Sequence, residues 1–231
     1  MKVEIWSDIA CPFCYIGKRR FENALEQFEG KEDVEIIYKS FILDPTAPKD
    51  SKQSMNEMLV EKKGMALAQV EQMQKQVTAQ ANELDLDYKL DQAIMTNTTT
   101  AHRLLHFAKE HGKMGEMKEK LLQAYFIDGN HVGDVDTLAT LASEIGLEEA
   151  KVKDVLNSDQ YQLAVQKDIA EAAQIQVQGV PFYVFNRKYA VSGAQPPEAF
   201  LQVLNQVHEE EKKEQPLNVI KQGDACTDGS C

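Results

Sequence analysis

The sequence predicts an α/β protein in which a βαβ unit and a later ββα unit flank a large all-helical insertion. Three observations carry this prediction. Residues 1–48 alternate between strand-like and helical patterns, residues 49–175 have helical periodicity almost throughout, and residues 176–212 return to short apolar strands before a last helix. The insertion is longer than any ordinary loop, so we expect it to form a subdomain. The polar residues 213–231 are predicted to be a flexible tail.

The first unit is predicted from its hydrophobic pattern. Residues 2–7 and 34–38 are apolar runs of strand type, and residues 12–29 between them have the amphipathic spacing of a helix. Gly30 follows that helix as a stop signal. A strand, a helix and a strand in so short a stretch predict two parallel strands joined by a right-handed crossover.

Seven helices are predicted within the insertion, most of them separated by glycine: 53–62, 66–84, 97–111, 115–127, 135–145, 147–157 and 160–174. Four methionines stand near its start, and such a group would suit a promiscuous binding surface. We favour the simpler interpretation that they fill the core of a helical layer; they are Met55, Met58, Met65 and Met73.

The second unit begins after residue 177. Residues 182–185 and 189–191 are short strand-like runs with a polar turn between them, which predicts a β-hairpin. Pro196 and Pro197 then open a helix that is predicted to end near residue 211, because proline is favoured in the first helical turn.

The tetrapeptide Cys11-Pro12-Phe13-Cys14 stands where the first predicted strand meets the first predicted helix. Its spacing places both sulfurs on one face, about one helical turn apart, where a disulfide can form and break. The positive end of the helix stabilises a thiolate at the first cysteine. We therefore predict that Cys11 is an exposed nucleophile and that Cys14 is the buried thiol that resolves a mixed disulfide.

A second motif, Val180-Pro181, precedes the predicted hairpin. Cis is the minority state of such bonds overall, but the C-x-x-C motif makes a cis bond the better prediction here. Proline has no amide hydrogen, so it can approach a reactive sulfur closely, while the preceding residue offers its backbone to an extended substrate. Together the two motifs indicate a thioredoxin fold.

With both motifs in place, the chain resembles the DsbA family over about residues 2–210. It is most similar to the FrnE-like subgroup, which is related to the 2-hydroxychromene-2-carboxylate isomerases and the kappa-class glutathione transferases. The segments that carry this resemblance are Phe41-x-Leu43-Asp44-Pro45, Ala101-His102-Arg103-Leu104 and Ser192-Gly193-Ala194-Gln195-Pro196.

The resemblance implies a thioredoxin fold with a helical insertion, and thiol–disulfide exchange at the C-x-x-C beside a cis-proline. The catalytic positions that it implies are Cys11, Cys14 and Pro181. The candidate substrate-binding positions are Pro12, Phe13 and Val180. The isomerase and transferase relatives typically carry serine where Cys11 stands. That difference speaks against glutathione-dependent isomerisation or conjugation in this chain.

A proton acceptor beneath Cys14 is expected, because thioredoxin-like folds often hold an acid there. Glu4, on the first predicted strand, is the candidate, and burial beneath the thiol would raise the pKa of its carboxyl and make it a usable base. A surface carboxylate is the competing interpretation. Asp8 is nearer to the cysteines in sequence, and we expect it to be exposed.

His102 and His106 lie four residues apart on one predicted helix, a spacing that can bind a metal ion. No third ligand is obvious, so we favour a half-buried helical face and predict no metal site. Cys226 and Cys231 form a C-x4-C pair that also occurs in some FrnE-like proteins. They are a candidate accessory dithiol able to reach Cys11, with a zinc or copper site as the alternative.

The composition limits the partners of the protein. A formal net charge of −12 argues against nucleic acid and against anionic membrane surfaces. The sequence has no apolar run long enough to span a membrane, and its N-terminus leads straight into a strand, so we expect a cytoplasmic protein. Cytoplasmic disulfides are usually transient and catalytic, which agrees with a chain of only four cysteines.

The expected function is that of a cytoplasmic thiol–disulfide oxidoreductase or protein disulfide isomerase. Its expected partners are protein or peptide thiols and disulfides, with glutathione or the thioredoxin system as candidate reductant. No cofactor beyond the redox-active disulfide is expected. Two alternatives remain: a glutathione-dependent isomerase or transferase of small aromatic compounds, and a redox-switched, chaperone-like binding protein.

Overall fold

Four strands form one mixed sheet in the computed structural model, which describes residues 1–51 and 54–214. In chain order they are β1 (Lys2–Ser7), β2 (Glu35–Ser40), β3 (Phe182–Phe185) and β4 (Tyr189–Ser192), and in space they are ordered β2-β1-β3-β4. The β1–β2 pair is parallel, from Lys2 opposite Glu35 to Ser7 opposite Ser40. The pairs β1–β3 and β3–β4 are antiparallel.

Nine α-helices accompany the sheet in the described part of the chain. They are α1 (Pro12–Glu26), α2 (Met55–Lys63), α3 (Leu67–Asn82), α4 (Thr99–Glu110), α5 (Met114–Phe126), α6 (Val135–Glu144), α7 (Glu149–Leu156), α8 (Gln162–Gln174) and α9 (Pro197–Glu214). The element order is therefore βαβ, then seven helices, then ββα. The predicted fold class, a thioredoxin fold with a large helical insertion, is confirmed.

One face of the sheet packs against α1 and α9 through aromatic rings. Phe21 of α1 lies 5.5 Å from Tyr183 of β3, and Tyr183 lies 4.6 Å from Phe200 of α9, measured between ring centroids. Such pairs contribute roughly 0.5–1.5 kcal/mol each beyond the burial of their surface. These rings hold the helix that carries the two cysteines against the strand that follows Pro181.

The opposite face of the sheet is covered by α8. Trp6 of β1 is fully buried there beside Ala172, Val177 and Val184, and its indole Nε1 donates to the backbone oxygen of Asp168 at 3.0 Å. Helix α8 contacts both β2 and α4. The sequence predicts a thioredoxin-like domain made of residues 1–48 and 176–212 and an insertion subdomain made of residues 49–175. This division stays a prediction. Helix α8 lies where the two predicted parts meet.

The last helix is longer than predicted, because α9 continues to Glu214 instead of ending near residue 211. The remaining residues of the predicted tail, with Cys226 and Cys231, lie outside the described residues. Over 1–51 and 54–214, no helix combines the length and the apolar character that crossing a membrane requires.

Gly17 allows α1 to approach the strand after Pro181. A β-carbon at this position would lie 2.7 Å from the hydroxyl oxygen of Tyr183 and 2.9 Å from Cγ of Pro181. Real β-carbons do not sit this close to other heavy atoms, so any larger residue would push the helix away from the proline.

We therefore expect Gly17→Ala to lower the free energy of unfolding by about 1–3 kcal/mol, because it overpacks this contact. Urea unfolding measures the change. Gly115→Ala in α5 is the matched control, because a β-carbon there meets nothing within 4 Å. The control should be neutral or more stable, since alanine favours a helix over glycine. An unchanged unfolding midpoint for Gly17→Ala would contradict the proposed contact.

Candidate active site

The two cysteines open helix α1. Cys11 is the N-cap residue with extended backbone angles (φ −96°, ψ 111°), and Pro12 occupies the first helical position. The amide of Cys14 donates to the carbonyl oxygen of Cys11 at 2.9 Å, which closes the first turn. Both thiols are free. The predicted placement of the C-x-x-C at a strand-to-helix junction is thus what the structure shows.

Pro181 and Val180 lie against this turn although they are distant in sequence. The Val180–Pro181 peptide bond is cis, which confirms the predicted geometry. The thiol of Cys11 donates to the carbonyl oxygen of Val180 across 3.5 Å. The structure therefore brings together the two motifs that the sequence predicted to act as one site.

Cys11 is less accessible than predicted. Only 4% of its surface is exposed, against 3% for Cys14, because the Val180–Pro181 loop lies against its sulfur. The expectation of an exposed nucleophile was wrong in this respect. Phe13, between the cysteines, is 39% exposed and is the large apolar side chain that the motif presents to solvent.

Cys14 lies in an environment that disfavours its thiolate. Burial raises the pKa of Cys14 well above its ordinary value, and the neighbouring Cys11 sulfur raises it further. The charge of Lys118 and a hydrogen bond from the backbone amide of Asp8 act in the opposite direction without cancelling the rise. A thiol in this position needs a way to lose its proton before it can attack a disulfide.

Asp8 is buried, not exposed as the sequence analysis expected. It is 1% accessible, because the loop between β1 and α1 turns its carboxylate inward. Oδ1 accepts from the hydroxyl of Thr98 at 2.7 Å and lies 3.2 Å from Nε2 of His102, and Oδ2 accepts from the amide of Leu43 at 2.8 Å. Burial alone would raise the pKa of Asp8, but these partners, with His102 foremost, hold it below its ordinary value.

His102 is fully buried, and burial lowers its pKa despite the neighbouring Asp8 carboxylate. Its Nδ1 atom has no hydrogen-bond partner. A neutral ring with the proton on Nε2, donated to Asp8, fits both facts, because an imidazolium would leave a buried N–H unpaired. His106 instead contacts Asp168 at 3.1 Å and Ser40 at 3.2 Å.

His102 and His106 therefore contact different carboxylates. The described residues contain no group of three or more His, Cys, Asp or Glu side chains that could hold a metal ion.

Glu4 does not lie beneath Cys14. Its carboxylate forms an ion pair with Arg187, with one contact of 2.6 Å, and lies 3.9 Å from the amine of Lys39. The reason is the pleat of β1, where alternate residues point to opposite faces. Val3 and Ile5 face the core shared with α1, whereas Glu4 and Trp6 face α8. The candidate proton acceptor named from the sequence is thus on the wrong side of the sheet.

Lys118 of α5 is an ionisable residue at the site that sequence reasoning missed. It is 1% exposed, and its charge interacts with Cys14, Asp8 and Cys11. The signal was available, because Lys118 follows Met114 by four residues and precedes Leu122 by four, which places it on the buried face of an amphipathic helix.

Helix α5 is fixed to α1 by a group of polar contacts. Glu119 accepts from the hydroxyl of Tyr15 at 2.6 Å and from the amine of Lys18 at 2.5 Å, and it also pairs with Arg19. Tyr88, from the segment between α3 and α4, donates to the carbonyl oxygen of Pro12 at 2.8 Å. The insertion therefore contacts the C-x-x-C turn directly.

An apolar cavity of about 670 Å³ opens beside the C-x-x-C turn. Pro12 and Phe13 form one wall, and α2 and α3 form the other, with Met55, Met58, Leu59, Met73 and Val77 among the lining side chains. Met55 is buried, whereas Met58 and Met73 are half-buried. Three of the four methionines thus line a cavity, and of these Met55 also belongs to the hydrophobic core, so the interpretation of the group as core residues holds only in part.

The profile of the DSBA-like thioredoxin domain matches residues 2–205. The chain belongs to this family. A probable DsbA oxidoreductase from Streptomyces coelicolor is 41% identical and superposes with a TM-score of 0.88, over 100% of this chain and 98% of that one.

Two more distant structures share the DsbA-like fold of this family member. A 2-hydroxychromene-2-carboxylate isomerase has a TM-score of 0.70 at 11% identity, over 94% of this chain and 100% of that one. The cytosolic disulfide reductase DsbM from Pseudomonas aeruginosa, in a structure with GSH, has a TM-score of 0.63 at 12% identity, over 90% and 100%.

The buried Asp8–His102 pair makes stability depend on pH. The pKa of His102 is lowered from 6.5 by folding, so below pH 6.5 the unfolded chain binds a proton that the folded chain refuses. We expect the free energy of unfolding to fall as the pH drops from 7.5 to 5, with a slope approaching about 1.4 kcal/mol per pH unit for this one proton. The contribution of Asp8 is lost only below its ordinary pKa of 3.8.

His102→Gln should flatten this slope, because glutamine can still donate to Asp8 but does not titrate. Urea unfolding at several pH values measures it. His111→Gln, at the exposed end of the same helix, is the matched control and should keep the slope of the unmodified protein. A slope unchanged in His102→Gln would show that the histidine is not held neutral by burial.

Proposed function

We propose that this DsbA-family protein catalyses thiol–disulfide exchange on polypeptides in the cytoplasm, as a reductase or isomerase more than as a net oxidant. The observation that carries the proposal is the contact of the Cys11 thiol with the Val180 carbonyl at 3.5 Å, with Cys14 one helical turn further on. A nucleophile, a resolving thiol and a backbone edge for substrate meet at this point.

The reaction follows from this arrangement. The Cys11 thiolate attacks one sulfur of a substrate disulfide, which breaks the S–S bond, forms a mixed disulfide and releases one substrate thiolate. Cys14, once deprotonated, attacks the Cys11 sulfur, forms the Cys11–Cys14 disulfide and releases the second substrate thiolate. The substrate gains two electrons and the protein loses two. Two glutathione thiols, or the dithiol of a thioredoxin-type protein, return the protein to the dithiol and are themselves oxidised to a disulfide. In isomerisation, a different cysteine thiolate of the substrate attacks the substrate sulfur of the mixed disulfide, which forms a new substrate disulfide and releases Cys11 as a thiolate.

Two features support a polypeptide as substrate. Val180 precedes the cis-proline at the start of β3, where an extended chain can align its backbone beside the sulfur. Phe13 and the methionine-lined cavity then offer apolar surface to side chains that flank the substrate cysteine. Methionine side chains adapt to varied apolar shapes, which suits an enzyme with more than one client.

Three observations support the proposal that the protein acts in the cytoplasm and that it reduces or isomerises disulfides. The chain has only four cysteines, in two close pairs, which suits transient catalytic disulfides. Its sequence motifs resemble those of the FrnE-like subgroup. Among proteins of the same fold, DsbM is a cytosolic disulfide reductase whose structure was solved with GSH. We propose that this protein is also cytosolic and that a thiol of the glutathione type is its reductant.

A glutathione-dependent isomerase of small aromatic compounds is the second candidate. The cavity of about 670 Å³ beside Cys11 has the size of a small-molecule site and is mostly apolar. A 2-hydroxychromene-2-carboxylate isomerase shares the fold. Against this candidate stands Cys11 itself, since the relatives with that activity typically carry serine there. A redox-switched, chaperone-like binding protein stays the third prediction, and client binding that survives loss of both thiols would favour it.

Cys11→Ser should abolish insulin-disulfide reduction, because no other thiol lies beside Val180 in the described residues. Cys14→Ser should retain the first attack and accumulate a mixed disulfide with substrate, detected by mass spectrometry of alkylated protein. Full reductase activity in Cys11→Ser would refute the proposed function. Turnover of an aromatic isomerase substrate that survives Cys11→Ser would favour the second candidate.

Met73→Glu should weaken the reduction of polypeptide disulfides by raising KM about tenfold, because it places a carboxylate in the apolar cavity. Reduction of glutathione disulfide, which does not need the cavity, should change less than twofold. Leu67→Glu, in the same helix α3 but 52% exposed and outside the cavity, is the matched control and should leave both rates unchanged. Equal KM values for insulin in Met73→Glu and the unmodified protein would remove the cavity from substrate binding.

A further inference from the structure

In the proposed mechanism, no group has been assigned to accept the proton of Cys14. Cys14 must lose its proton inside the protein before it can attack the mixed disulfide, and the acid named from the sequence, Glu4, lies on the opposite face of the sheet. We propose that the side-chain amine of Lys118 accepts this proton when the mixed disulfide is resolved. The inference rests on the proposed function and assigns a residue to one of its steps.

The position of Lys118 is the first support. The amine lies in the interior, on the face of α5 that carries Met114, Met117 and Leu121, all of them buried. Glu119, the next residue along, bonds Tyr15 and Lys18 of α1, so α5 is tied at this turn to the residue that follows Cys14. An amine on a loosely placed side chain could not serve in this way.

The shared environment is the second support. Burial lowers the pKa of Lys118, whereas burial raises the pKa of Cys14. Burial thus favours the neutral thiol and the neutral amine. A proton that passes from Cys14 to Lys118 leaves the net charge of the interior unchanged, whereas its loss to water would leave a buried thiolate without a counterion. The attraction between a Cys14 thiolate and the Lys118 ammonium further stabilises the transferred state.

The other ionisable groups around the pair are less suited to the role. Asp8, in the loop before α1, already accepts from Thr98, His102 and the Leu43 amide, and its lowered pKa makes it a weak base. His102 of α4 holds its proton toward Asp8, and the largest charge interactions of its ring are with Asp8, Lys118 and His106.

The remaining neighbours do not accept a proton at neutral pH. Tyr88 and Tyr183 both face the cysteines, and burial raises the pKa of each hydroxyl, so both keep their protons. Lys18 of α1 pairs with Glu22 and Glu119 and opposes a positive charge on Lys118. Its charge therefore lowers the pKa of Lys118 further, in the direction that favours the neutral amine.

The step balances as follows. Neutral Lys118 takes the proton of the Cys14 thiol and becomes an ammonium. The Cys14 thiolate attacks the sulfur of Cys11, the bond from Cys11 to the substrate sulfur breaks, and the substrate leaves as a thiolate. The electron pair moves from Cys14 to the leaving sulfur, and the ammonium gives its proton to that sulfur or to water. No further reductant or cofactor enters.

A two-phase experiment separates this step from the first attack. The reference protein and every variant carry Cys226→Ser and Cys231→Ser, so that only Cys11 and Cys14 can react. The reduced protein is mixed with excess 5,5′-dithiobis(2-nitrobenzoate), which releases one coloured thiolate when Cys11 attacks and a second when Cys14 resolves. In Lys118→Met we expect the second phase to slow by roughly 10²-fold at pH 7 and to recover as the pH rises, because general-base assistance is lost. The first phase should change less than twofold.

Two further variants make the result decisive. Lys118→Arg keeps a positive charge but cannot give or take a proton at these pH values, so it should be as slow as Lys118→Met. Lys120→Met, on the same helix with its amine paired to Glu144, should behave like the unmodified protein. Replacing a buried amine by methionine is not expected to destabilise the fold, and thermal unfolding checks that point.

The outcomes are distinct. A second phase in Lys118→Met with the rate and pH profile of the unmodified protein would overturn the proposal. So would a fast second phase in Lys118→Arg, since it would make Lys118 a fixed charge and not a proton acceptor. If Cys11 released no first thiolate in the unmodified protein, the proposed function itself would fail, independently of Lys118.

Discussion

The buried carboxylate of Asp8 is the interaction on which the rest of the site depends. Asp8 lies in the loop between β1 and Cys11. Its carboxylate accepts hydrogen bonds from the side chains of Thr98 and His102 and from the backbone amide of Leu43. A buried charge costs free energy unless it is fully paired, so these partners are obligatory. They join the strand, the loop after β2 and helix α4, and in this way they fix the start of α1 relative to the insertion.

On the face of the sheet that α8 covers, carboxylates are paired with cations. Lys39 contacts Asp168 at 3.2 Å and Glu171 at 3.0 Å, and Arg187 pairs with Glu4 and Glu171, with Trp6 beneath both cations. This network holds α8 on β2. It also explains why Glu4 is unavailable to the thiols, since its carboxylate already neutralises Arg187. Glu4 and the two thiols therefore lie on opposite faces of the sheet.

Most of the fold could be predicted from the sequence, and much of the site could not. The C-x-x-C, the Val180–Pro181 motif and the hydrophobic periods are local signals, and they gave the element order and the cis-proline contact. Burial is a property of the assembled chain. Asp8 looks like a loop carboxylate in sequence, and only the return of α4 over the loop encloses it. The burial of Lys118 could be predicted from its spacing within α5. Its proximity to Cys14 could not, because no sequence rule pairs α5 with α1.

The helical insertion is therefore part of the candidate site. The thioredoxin-like elements supply the two sulfurs and the cis-proline, while the insertion supplies Tyr88, His102 and Lys118 and most of the lining of the apolar cavity. Cys14 is 3% exposed, and among the groups that shift its pKa is Lys118 of α5. The insertion therefore contributes a buried amine to the surroundings of a thiol that the βαβ unit supplies, and the proposed proton acceptor depends on the packing of both parts.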